Sequence, residues 1–161
     1  MKYIYILLFG TGLMACNNGD NTKALQNRID SLEKRIGEGY KPGLGEFMTN
    51  IQVHHAKLWF AGLNENWQLA DFEIHEIMES IEDIKKYETD RPESKLTGIL
   101  SPAMDSINHA IQLKDPVLFK SSYVLLTSTC NNCHKSVHFD FNVVTIPTAS
   151  SFSNQDFSLK R

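Results

Sequence analysis

Apolar residues recur along this chain at helical spacing. Leu25, Ile29, Leu32 and Ile36 follow one another at intervals of four, three and four. Arg28, Asp30, Glu33, Lys34 and Arg35 lie largely off that stripe, so an amphipathic helix is predicted. The stripe covers barely two heptads, and an isolated helix shorter than about 12–15 residues is marginal in water. It fits a lone amphipathic spacer, lying on the domain or on lipid, slightly better than a dimer or trimer seam. The stretch 37–45 carries four Gly and Pro42 and reads as a linker.

Four further helical segments follow. In the first, over 45–62, Phe47, Ile51, His54, Leu58 and Ala61 share one face. Met48, Gln52, His55 and Trp59 fall on the adjacent face. Gly62-Leu63-Asn64 is a stop, and Asn64 or Asn66 can start the next helix. The second runs over 65–88, with Trp67, Ala70, Ile74, Ile77, Met78, Ile81 and Ile84 inside. Glu73, Glu76, Glu79, Glu82 and Asp83 read as a solvated acidic face. The third carries Leu96, Ile99 and Leu100, then Met104, Ile107 and Ile111, with a break predicted at Ser101-Pro102, a cap-and-first-turn pair. Asp115-Pro116 repeats that device and opens the fourth, where Val117, Phe119, Tyr123, Val124, Leu126 and Thr127 lead to Cys130.

Helices joined by short loops predict an all-α fold, an up-down-up-down four-helix bundle over 45–136. In that topology the end of the fourth helix meets the first turns of the first. Met48 lies about one turn into that helix, and His55 about 10 Å further along. The residues after the bundle, 137–161, alternate at first (His138-Phe139-Asp140-Phe141), then reach Pro147 and a polar stretch. With no partner strand in view, they are expected as an extended tail packed on the bundle.

The chain has 161 residues and a formal net charge of −3, which gives no electrostatic case for nucleic acid. Its three cysteines each have a separate reading. Met1-Lys2 and an apolar run to Ala15 resemble a bacterial lipoprotein signal, with Leu13-Met14-Ala15-Cys16 as the lipidation box. Residues 1–15 are then a signal peptide, Cys16 the lipidated residue, and 16–44 a tether to the domain. An ordinary secretory signal is the alternative, and either one implies export.

The other two cysteines stand in Cys130-Asn131-Asn132-Cys133-His134. Cys-x-x-Cys-His is the attachment signature of a c-type haem. The two thiols add to the two vinyl groups of one porphyrin, and the adjacent His supplies the proximal nitrogen to iron. A thioredoxin-like pair would want a βαβ setting, and a zinc site a second ligand pair; neither is visible. One covalent haem c is therefore expected on Cys130 and Cys133, with His134 as iron ligand. Bacterial haem attachment takes place outside the cytoplasmic membrane, which agrees with the signal. No cysteine is left over for a disulfide framework.

A helical bundle with this motif near the end of its last helix resembles the class II cytochromes c, the cytochromes c prime and their low-spin relatives. More closely, HHAKLWFAG, LNENW and QLADFE within 54–73, with CNNCH and NQDF, resemble a set of small bacterial haem-motif proteins. The resemblance implies Cys130 and Cys133 as thioether residues, His134 as proximal ligand, and either an open distal side or a Met from the first helix there. Met48 matches the latter. The tail beyond the motif and the paired His54-His55 depart from the class II pattern.

On the distal side Met48 and His55 are the candidates, with Met104 weaker. One of His54 and His55 is expected inside and the other partly exposed. His75, His109 and His138 read as surface. Lys41, Lys57, Lys85, Lys86, Arg91 and Lys135 could balance haem propionates. No nucleophile–base arrangement, phosphate loop or carboxylate pair argues for an enzyme. The sequence thus points to an exported monohaem cytochrome, lipid-anchored on the periplasmic side of a bacterial membrane. It would carry single electrons to a redox partner protein, with oligomers possible. Five-coordinate binding of a small gas, and an adaptor bundle without haem, are the alternatives.

Overall fold

A computed structural model describes residues 19–37, 39 and 42–158. The expected signal segment, the Cys16 lipidation site and Lys41 lie outside these residues. Helices are the regular structure of the described residues, with no strand among them. None of their helices is long and apolar enough to cross a membrane.

Two compact units are present, 1–40 and 41–161. The first contains α1 (Gly19–Gly37), on which Leu25, Ile29, Leu32 and Ile36 are all exposed. The second contains α2 (Leu44–Leu63), α3 (Trp67–Tyr87), α4 (Pro92–Leu96), a 3-10 turn (Thr97–Leu100), α5 (Ser101–Leu113) and α6 (Pro116–Ser136). α2 packs on α3, α3 on α5, α5 on α6, and α6 back on α2. Leu58, Ile74, Ile84, Ile107, Ala110 and Phe119 fill the centre of that cycle with no exposed surface.

The helix boundaries have local causes. Asn66 accepts a hydrogen bond from the Leu69 amide and starts α3. Asp115 accepts from the Val117 and Leu118 amides, and Pro116 at the first position starts α6. Ser101 does not cap: it is already helical, Leu100 precedes it at the boundary, and no side-chain cap is made. The 3-10 turn runs straight into α5, so the chain never adopts the extended geometry an N-cap needs. α2, α5 and α6 end alike. Glu65, Lys114 and His138 take left-handed φ of 54°, 53° and 62°. The next amide in each case reaches back five residues, Asn66 to Ala61, Asp115 to Ala110 and Phe139 to His134.

Three contacts define the register of α2 against α6. Gly62 faces the Phe119 ring at one end, where an added Cβ would collide with it. Midway, His55 meets Tyr123 and Thr127. At the other end Met48 shares a cavity with Cys133 and His134. The two helices therefore run antiparallel. The Phe119 end is aromatic: Trp59 lies 4.7 Å from Tyr123 and Trp67 5.9 Å from Phe119, between ring centroids.

Glu73 corrects the expected acidic face. It is 1% exposed, and its Oε2 lies 2.6 Å from His54 Nδ1. The cause is α2–α3 packing, which brings His54 over a carboxylate at a core-facing position of α3. His54 and His55 are both buried, at 9% and 3% exposed, so neither is the partly exposed member of the pair. The tail has no ladder. Phe157 is buried, while Ile146 and Phe152 pack partly buried on the core. On α6, Val117 and Val124 are exposed.

Candidate cofactor site

A cavity of about 320 Å³ opens where the start of α2 meets the end of α6. α2 lines it with Met48, Ile51 and His55, and α3 with Ile77 and Ile81. Leu100 and Met104 come from the 3-10 turn and α5. α6 gives Leu126, Cys130, Cys133 and His134, and the tail closes one side with Val137, Phe139, Asn142 and Val144. The wall is mostly apolar with a few polar groups, the composition of a cofactor site. All the sequence-predicted candidates, Cys130, Cys133, His134, Met48, His55 and Met104, line this one cavity.

The thiols are one helical turn apart on α6, on the same side. Both are free of disulfide. Burial pushes the Cys130 thiol up to about 11, with Cys133 adding to the rise. Burial also raises Cys133. Redox-active Cys-x-x-Cys pairs have a lowered nucleophile pKa, so this environment runs opposite to theirs. Among the described residues, no set of three or more His, Cys, Asp or Glu side chains is arranged to hold a bare metal ion.

His134 Nδ1 lies 2.7 Å from the Asn142 carbonyl oxygen. A carbonyl only accepts, so Nδ1 carries a proton, and Nε2 is the nitrogen left to face a metal. This is how metal-binding imidazoles are fixed in tautomer and orientation. His55 is held differently. Its Nε2 is 2.9 Å from Thr127 Oγ1, and its Nδ1 2.9 Å from the Tyr123 hydroxyl. Both ring nitrogens are thus engaged. Burial lowers its pKa to about 4, so the ring is neutral near pH 7. Met48 is half-buried at the α2 wall.

Of the cations considered for propionates, Arg91 lines the cavity, with Nη2 3.2 Å from Glu93 Oε1. Lys57 lies over Phe152, Lys86 over Tyr87, and Lys85 pairs with Glu82.

Sequence reasoning missed Asn131. Its Nδ2 donates to the Val144 carbonyl and its Oδ1 accepts from the Val144 amide, both at 2.8 Å. This two-bond clamp straps the tail across the motif and sets the Asn142 carbonyl over His134. Nothing in the local sequence announces it, because the two middle residues of the motif serve there as spacers.

No family model, curated protein or solved structure matches the chain.

Proposed function

We propose that this chain is an exported monohaem c-type cytochrome that carries single electrons, anchored by lipid on Cys16 to the periplasmic side of a bacterial membrane. One observation carries the proposal: both thiols of the attachment signature, its His, and a Met from another helix line a single apolar cavity. The residues present fit the group. Cys130 and Cys133 would hold it covalently, and His134 would ligate the iron through Nε2. Met48 is the better sixth ligand, because His55 would have to give up a hydrogen bond to bind. Arg91 would balance a propionate. Haem c, when bound, supplies a one-electron iron couple. The chain's own part is to fix the ligands and keep water off one side with the tail, which tunes potential. In this reading residues 45–136 form an up-down-up-down four-helix bundle of the class II cytochrome kind, with an N-terminal amphipathic helix before it. The protein is a carrier for a redox partner protein, not an enzyme.

The test is the absorption spectrum, oxidised and reduced, of the chain exported alongside haem-attachment machinery. Covalently retained haem with a low-spin spectrum is expected. Met48→Ala should abolish its weak long-wavelength sulfur-to-iron band. A high-spin spectrum that shifts readily with carbon monoxide would replace electron carriage by five-coordinate binding of a small gas. Absence of covalent haem would overturn both.

A further inference from the structure

α1 leaves a row of large apolar side chains in water. Leu25 is 61% exposed, Ile29 46%, Leu32 46% and Ile36 76%. In heptad terms Ile29 and Ile36 are a positions, and Leu25 and Leu32 are d positions. Ile at a with Leu at d is the combination that favours two parallel strands over three or four. The flanking charges agree. Arg28 and Arg35 fall at g, and Gln26 and Glu33 at e. In a parallel pair, g of one helix faces the next e of the other, which matches Arg28 with Glu33 of the second copy, twice per dimer. An antiparallel pair would set g against g and confront arginine with arginine. Within one chain neither Arg28 nor Glu33 has an opposite charge three or four residues away. Both side chains are exposed.

We propose that α1 is a dimerisation helix, which pairs in parallel and in register with α1 of a second copy of this chain. This goes against the lone spacer favoured by the shortness of the stripe. The helix runs for 19 residues, roughly 28 Å, and the identity and charge order of its residues specify a partner. A seam of two heptads gives weak association, so dimer and monomer exchange on dilution.

The test is sedimentation equilibrium of the full-length chain in detergent, over a dilution series. The wild-type chain is expected to dimerise. Arg28→Glu and Glu33→Arg should each raise the dissociation constant about ten-fold, since each turns two attractive contacts repulsive. The double variant Arg28→Glu/Glu33→Arg should return it close to the wild-type value. Ile29→Asp should leave only monomer. A wild-type chain that is monomeric throughout, a trimer, or a double variant no tighter than the single ones would overturn the proposal.

Discussion

Replacing Asn131 by Ala should release the tail from α6 while leaving the helices packed. The substitution removes both 2.8 Å bonds to the Val144 backbone. Each net hydrogen bond is worth about 0.5–1.5 kcal/mol, so the strap loses roughly 1–3 kcal/mol. The upper end applies if the Val144 amide and carbonyl stay shielded from water when their partner goes. At 1.4 kcal/mol per factor of ten, the opening equilibrium of the strap rises about 5- to 150-fold. Native-state hydrogen exchange reads this directly, because the Val144 amide is itself the donor in one lost bond. Its protection should fall by that factor, and amides in the middle of α3 and α5 should keep theirs. Asn131→Asp keeps the acceptor but loses the donor, so its effect should be intermediate. Unchanged exchange at Val144 would show that apolar packing of Ile146 and Phe152 holds the strap. Equal acceleration in α3 would show that strap and core open as one unit. Either result refutes the clamp argument.

Three other outcomes follow from the packing. Gly62→Ala drives a methyl into the Phe119 ring and should cost about 1–3 kcal/mol, seen as a lower urea midpoint; Phe119→Leu in the same chain should relieve part of it. His54→Leu leaves Glu73 buried without its partner and should cost roughly 3–5 kcal/mol, most of which His54→Leu/Glu73→Leu recovers; a single-variant loss below about 1 kcal/mol would count against the pair. Because burial lowers His55 from 6.5 to about 4, the unfolded chain binds a proton there before the folded chain does. Stability should therefore fall by roughly 3 kcal/mol as pH drops through that window, and thermal melts of His55→Gln should show a flatter decline.

The helices were legible because their apolar residues repeat with one period and because Asp115-Pro116 and Asn66 stop and start them chemically. The gathering of the candidate residues was legible for a related reason: the end of α6 meets the start of α2, and all the candidates line the cavity there. Glu73 was misread because residue type was weighed above position. It follows Ala70 by three and precedes Ile77 by four, so the period already placed it inside. The partner that makes its burial tolerable, His54, belongs to another helix. The tail packs on the core as expected, but what holds it was not foreseen. Alternation over 137–146 suggests an extended segment, but 137–142 turns, with His138 left-handed, and alternation says nothing about what the segment pairs with. Here the pairing is supplied by Asn131 and His134 side chains instead of a neighbouring strand. Contacts between distant segments have no local periodicity, so neither could be read in advance.

The buried His55–Thr127–Tyr123 network gains a role from its position between the two ends of the molecule. α2 and α6 are antiparallel, and the 2.9 Å contact between His55 and Thr127 fixes their register at one level. Seven residues back along α2 from His55 lies Met48; seven residues forward along α6 from Thr127 lies His134. Both steps run the same way and cover about 10 Å, so the contact sets Met48 and His134 at the same height on the two helices. A Leu at 55 could fill the space, but apolar packing alone tolerates sliding in a way that directional bonds do not. Thr127 Oγ1 gives its proton to the Tyr123 carbonyl and so accepts from His55 Nε2, while the Tyr123 hydroxyl lies against both His55 Nδ1 and the His55 carbonyl, and these directional bonds specify the register. At the far end Gly62 admits the Phe119 ring and removes the remaining freedom to slide. The cavity is then held by a polar lock at its inner wall, His55, and by a steric lock at the opposite end of the two helices.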